Sequence, residues 1–201
     1  MSPERLLRTC LEKGINCVAV TDHNSIAGAL ELRRMAPFPV IVGEEVRTTY
    51  GEVMGLFLTE GIPRLLTPLE TVDRIKAQGG LVCIPHPFDR LRRSLLRRSA
   101  LESILPLVDI IEVFNSRTVL GGYLTRALAF AEKHGLLASA GSDAHSPGEV
   151  GGAYVVMPEF DGPQSFLRAL AQGEIVGRRA RPWTRITGSM VALGNRFRRR
   201  G

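Results

Sequence analysis

At 201 residues, with 44% hydrophobic and 23% charged residues, the chain is long enough for a domain with a real core, and its composition is that of an ordinary globular protein. No run approaches the roughly 18 apolar residues of a membrane span, and the polar start MSPERLLRTCLEKG lacks the apolar stretch of a signal peptide. The formal net charge of +6 is uneven: residues 178–201 hold eight Arg and no acid, leaving a net of −2 on the rest.

Three scattered cysteines, Cys10, Cys17 and Cys83, form no Cys-x-x-Cys. That argues against a disulfide framework or a thiolate zinc site, and for a cytoplasmic chain. The Arg-rich end reads as a basic tail that contacts nucleic acid or an anionic surface, or simply as solvated surface. A second basic cluster comprises Arg90, Arg92, Arg93, Arg97 and Arg98.

In chain order, Ser2-Pro3-Glu4 opens a helix and Gly14 closes it. The apolar run 17–20 ends in "TDHN", and a helix from Ala27 to Ala36 stops at Pro37. Strands are expected at 39–46 and 53–58. Thr67-Pro68-Leu69-Glu70 has the capping-box spacing, and its helix ends at Gly79-Gly80. "LVCIPHP" (81–87) is strand-like, a basic amphipathic segment follows, and "VDIIEVFNS" (108–116) is another strand. A helix from about Tyr123 to His134 precedes "LLASAGSDAH", and "AYVVM" (153–157) and "PQSFLRALAQG" complete the series. Such alternation of strands and helices, with near-continuous apolar strands, predicts parallel strands buried on both faces, in a barrel or a doubly wound sheet.

The four histidines are informative. His134, in the last turn of a helix, is explained by the helix dipole. His23, His86 and His145 each follow an apolar strand, beside Asp or Pro. Asp143 and His145 stand two apart, a spacing that on a strand points both side chains the same way. Glu44, Glu45 and Glu112 interrupt apolar runs, and a buried carboxylate or imidazole needs a partner or a metal. If the downstream strand ends converge, these groups make a metal site of mixed nitrogen and oxygen donors, suited to Zn, Mn or Fe. No Gly-x-Ser-x-Gly elbow, no Walker loop and no Gly-x-Gly-x-x-Gly after the first strand is present.

From Ser2 to Gly173 the motifs "TDHN", "GEE", "PHPFDR", "EVFNSR" and "GSDAHSPGEVGGAY" resemble those of the polymerase and histidinol phosphatase (PHP) superfamily, in its order and approximate spacing. The resemblance implies an α/β fold, a distorted (β/α)7 barrel, occupying 1–177 ahead of the 178–201 tail. It implies a metal-dependent phosphoesterase using two or three Mn, Zn or Fe ions to activate water. His23, Glu45 (a bridge between metals), His86, Asp143 and His145 fall at ligand positions. Glu52 stands where many relatives place a His, and is either an oxygen ligand or a solvent-exposed hairpin acid. Asp22 orients a ligand from behind, Asn115 faces the site, and Arg90 and Arg117 neutralise substrate phosphate.

The sequence departs from the family at the front. It begins at the helix opened by Ser2, so the strand bearing the family's His-x-His and the Asp ligand after it are missing, by truncation or by real loss. The implied substrates are nucleotides or the 5′ ends of short oligonucleotides, as for an exonuclease or nucleotide phosphatase, with small phosphorylated metabolites second. The alternatives are a catalytically incomplete metal-binding or scaffold module, and a hydrolase of the amidohydrolase type.

Overall fold

The computed structural model describes residues 1–92, 94–118 and 122–177. Arg93 and the Arg-rich tail 178–201 lie outside the described residues. The chain divides into two compact units, each assembled from two segments.

The first unit comprises Met1–Pro85 and Arg90–Asp109. Its elements are α1 (Pro3–Glu12), β1 (Val18–Val20), α2 (Ala27–Met35), β2 (Val40–Thr48), β3 (Gly51–Leu56), α3 (Pro68–Ala77), β4 (Leu81–Ile84) and α4 (Arg98–Ile104), followed by a 3₁₀ turn. The helix starts follow local chemistry. Ser2 Oγ accepts the Arg5 N–H (3.4 Å) ahead of Pro3. Thr67 and Glu70 close a reciprocal capping box, Glu70 Oε2 accepting from Thr67 N (2.8 Å) and Thr67 Oγ1 from Glu70 N (3.3 Å); losing such a cap costs about 1 kcal/mol. Asp109 accepts from both Lys76 (2.5 Å) and the Val82 N–H (2.7 Å), tying α3 to β4. Leu32, Val46, Val53, Val72 and Ile75 are fully buried here.

Strand direction differs from expectation. β1 runs parallel to β2, but β2 is antiparallel to β3, and β3 to β4. Thr48 pairs with Gly51, so only Thr49 and Tyr50 connect β2 to β3. Two residues make a hairpin, whereas a parallel crossover needs a dozen or more. Gly51 carries φ +122°, and a Cβ there would strike the Leu96 Cα and meet Leu95 O at 2.5 Å. Segment 94–97 therefore lies directly on the hairpin, with Glu52 N–H donating to Ser94 O (2.9 Å) and Arg97 N–H to Tyr50 O (2.8 Å).

The second unit comprises His86–Asp89 and the described residues from Ile110 to Gly177. It holds β5 (Ile110–Asn115), α5 (Gly122–His134), β6 (Leu137–Gly141), β7 (Ala153–Val156), α6 (Pro163–Leu170) and β8 (Glu174–Gly177). β5 and β6 are parallel, and all six β5 residues are buried. β8 pairs antiparallel with β7 and is not among the strands expected from sequence. The β5–β6 register slips between Glu112 and Phe114, a bulge at Val113. One extra residue lets Glu112 and Asn115, three apart, share a face that regular alternation would deny them. His134 ends α5 and packs against Phe130, whose ring meets Phe88 edge-on (5.4 Å).

Candidate metal centre

Each unit gathers its own group of expected site residues. In the first unit His23 follows β1 and forms an isolated parallel bridge with Glu45. Asn24, at φ +53°, fixes that placement: its N–H donates to Glu45 O (3.2 Å) and its Oδ1 accepts the Arg47 N–H (2.9 Å). Asn is among the few residues that adopt this left-handed conformation routinely. Asp22 stands over α2, one of its carboxylate oxygens 2.6 Å from where a Cβ on Gly28 would be.

Glu52 pairs with Arg47, and Met54 with Glu45, so the two acids sit diagonally on one face, within reach of each other. His23, Glu45 and Glu52 each offer one donor atom, and these atoms lie within 4.8 Å of one another. The hairpin acid is not solvent-exposed: Glu52 is 4% accessible. Segment 94–97, read from sequence only as a basic stretch, lies on the hairpin and meets it through Ser94 and Arg97 as above. Burial first, and then the neighbouring Glu45, pushes the Glu52 carboxyl up to about 7.

Glu52 Oε1 faces His23 Nδ1 (3.6 Å) and Arg47 Nη1 (3.9 Å), whereas its buried Oε2 accepts no hydrogen bond among the described residues. Two close acids, an imidazole and an orphaned buried oxygen fit a divalent cation, which would relieve the desolvation and the like-charge repulsion together. Glu44, next along β2, is buried on its own account, accepts from Ile62 N–H (2.9 Å) and takes no part in the group. Arg90 belongs to this unit and is exposed.

In the second unit Glu112 and Asn115 organise the polar residues. Glu112 Oε2 accepts the His86 N–H (2.8 Å) and Asn115 Nδ2 (3.1 Å). Its Oε1 lies 2.5 Å from where a Cβ on Gly141 would be, so the backbone of β6 comes this close only because residue 141 is glycine. Burial pushes the Glu112 carboxyl up to about 7, against the pull of His86 and Asn115. Asn115 Nδ2 also reaches Asp143 Oδ2 (3.3 Å), and its Oδ1 accepts the Arg117 N–H (2.9 Å). A small pocket beside these residues is lined by His86, Asp89, Glu112, Asn115, Thr118 and Tyr123 among others.

Asp143 and His145 lie beyond the end of β6, and Asp143 has φ +49°, so strand alternation does not bring them together. A turn does: His145 Nδ1 lies 2.9 Å from Asp143 O and 3.6 Å from Asp143 Oδ1. Arg117 Nη1 stands 2.6 Å from the same Nδ1 and 4.0 Å from Asp143 Oδ1. Glu149 Oε2 accepts from His145 N–H, Ser146 N–H and Ser146 Oγ, each at 2.9 Å, which holds this carboxyl below its ordinary value. Sequence reasoning assigns Glu149 no role, although Ser146-Pro-Gly-Glu149 has the spacing of a capping box. Glu112 is visible in the sequence as an acid in an apolar run, but its partners are not.

The profile of the PHP-associated family matches residues 121–175. An uncharacterised protein of Methanocaldococcus jannaschii is 40% identical over 181 residues, covering 85% of this chain and 73% of its own length. A two-domain protein from Bacteroides vulgatus, containing a predicted PHP-like metal-dependent phosphoesterase, superposes with a TM-score of 0.70 at 18% identity, over 88% of this chain. The chain belongs to the PHP superfamily. Its fold is the expected α/β PHP class, with no strand ahead of α1 among the described residues. This PHP chain spans 60% of the Bacteroides protein. Endonuclease Q, solved with a 27-mer duplex bearing an abasic lesion, superposes with a TM-score of 0.58 at 15% identity, over 85% of this chain and 51% of its own. No helix among the described residues is long and apolar enough to cross a membrane.

Proposed function

We propose that this PHP chain is a metal-dependent phosphoesterase whose first unit holds a divalent cation on His23, Glu45 and Glu52. The observation that carries this reading is the approach of one donor atom from each of those three residues to within 4.8 Å of the others, beside a Glu52 carboxylate whose Oε2 is buried and without a hydrogen bond among the described residues. In the second unit His86, Asp143 and His145 are the donors, of mixed type suited to Mn, Zn or Fe. Lewis acidity toward phosphoryl oxygens, and a water of lowered pKa, are what such ions supply when bound. Asn115 holds the Asp143 carboxylate through Nδ2 and steers the Arg117 backbone through Oδ1. Arg117 is the cation of the second unit offered to substrate phosphate, and Arg90 is the corresponding cation of the first.

The substrate class is nucleotides or the 5′ ends of short oligonucleotides. The likeness in fold to endonuclease Q, itself solved on DNA, supports a nucleic-acid substrate over a small metabolite. The test is phosphate release from mononucleotides and 5′-phosphorylated oligonucleotides with Mn²⁺, alongside metal content by mass spectrometry. Asp143→Ala is expected to abolish release, and Glu52→Ala to lower bound metal at least ~10-fold, by analogy with the losses that follow removal of supporting groups. Full activity in Asp143→Ala refutes the reading. An absence of release from every phosphate ester, with metal still bound, favours a non-catalytic metal-binding module.

A further inference from the structure

We propose that Arg117 sets the tautomer of His145 and thereby competes with a metal ion for that imidazole, an inference that rests on His145 being a metal donor. Guanidinium groups only donate hydrogen bonds. Arg117 Nη1 at 2.6 Å from His145 Nδ1 therefore makes Nδ1 an acceptor and places the ring proton on Nε2. The other neighbour of Nδ1, the Asp143 carbonyl at 2.9 Å, accepts only, and calls for a proton on Nδ1 and a lone pair on Nε2. One nitrogen cannot satisfy both at once.

The second arrangement is the one in which a histidine ligates metal, its far nitrogen donating to a backbone carbonyl. With Arg117 in place Nε2 carries the hydrogen and has no lone pair to give. The same guanidinium stands 4.0 Å from Asp143 Oδ1, so it compensates the acid as well as occupying the imidazole. Arg117 is a resident cation, and a metal ion has to displace it from both donors.

Release of the guanidinium needs no backbone change. The Arg117 N–H stays on Asn115 Oδ1 (2.9 Å), while its side chain is 37% accessible. An anion that attracts the guanidinium away leaves Nδ1 to donate to Asp143 O and the lone pair on Nε2. Phosphate and metal thus favour each other's binding through this one positioning residue, by reciprocal linkage. Loading of the second unit's donors is coupled to arrival of a phosphorylated ligand.

The direct measurement is the ¹⁵N spectrum of the histidine rings in the full, EDTA-stripped chain at pH 8. His145 is expected as the Nε2–H tautomer in the natural protein and as the Nδ1–H tautomer in Arg117→Met. Mn²⁺ alone, titrated without phosphate, is expected to bind Arg117→Met roughly 5- to 150-fold more tightly, the range of a typical coupling between sites. The Nδ1–H tautomer in the natural protein, or the same tautomer in both, overturns the proposal whatever the activity; equal Mn²⁺ affinity overturns the competition. Failure of Asp143→Ala to stop turnover would instead refute the phosphoesterase reading and leave the tautomer result standing.

Discussion

Replacing Glu112 by Gln is expected to flatten the dependence of folding stability on pH in the metal-free chain. The folded carboxyl sits near 7 against an ordinary 4.5, raised mainly by burial. The folded state therefore holds this proton more tightly than the unfolded state does. Below about pH 4.5 both states are protonated and the stability is fully present; it is lost as pH rises toward 7 and stays lost above. At ~1.4 kcal/mol per pKa unit, the rise corresponds to roughly 3 kcal/mol, a large share of a typical stability of ~5–15 kcal/mol. Gln keeps an oxygen for the His86 N–H and for Asn115, so whatever it costs in packing is common to all pH values. Urea unfolding in EDTA at pH 4.5 and pH 8 gives four free energies. Between those pH values the natural chain should lose roughly 3 kcal/mol more than the variant. Glu52, raised in the same direction, leaves a residual slope in both. Equal slopes would show that Glu112 is not held protonated by its surroundings.

Gly51→Ala should destabilise the first unit by about 2–4 kcal/mol, since its Cβ meets the backbone of Leu95 and Leu96 and its φ is +122°; thermal unfolding checks this. The same change should weaken Mn²⁺ binding, because the Glu52 N–H is held by Ser94 in the displaced segment; unchanged affinity would place Glu52 outside the metal group. Deleting 178–201 should weaken binding to single-stranded oligonucleotides and make its salt dependence shallower, by about 0.7 in log–log slope for every phosphate that the tail neutralises. A salt slope unaffected by the deletion makes the tail solvated surface.

Where local chemistry decides, the sequence is readable. The helices at Pro3 and Pro68 begin where Ser2 and Thr67 cap them, and the strands fall on the apolar runs. Direction is not legible for β3, because a short apolar run is the same read parallel or antiparallel; only the two-residue connection at Thr49 and Tyr50 carries it, and β4, antiparallel to β3, runs the same way as β1 and β2. β8 escapes notice because four residues of mixed character take their strand form from β7. His23 and Glu45 stand at motif positions and Glu52 where many relatives place a His, yet the segment whose Ser94 accepts the Glu52 N–H lies more than 40 residues away. The partners of Glu112, 26 and 29 residues distant as His86 and Gly141, and the Arg117–His145 contact across 28 residues are tertiary facts that no local pattern encodes.

The tetrapeptide His86–Asp89 belongs to the second unit although both its flanks belong to the first. The chain leaves one compact unit, contributes four residues to the other, and returns. No single cut separates the two units: breaking the chain between Asp109 and Ile110 strands His86 on the piece that lacks Glu112, the acceptor of its N–H. Recombination between relatives at that boundary would likewise pair a His-Pro segment from one parent with a β5 carboxylate from another, so the two are expected to be inherited, exchanged or redesigned together.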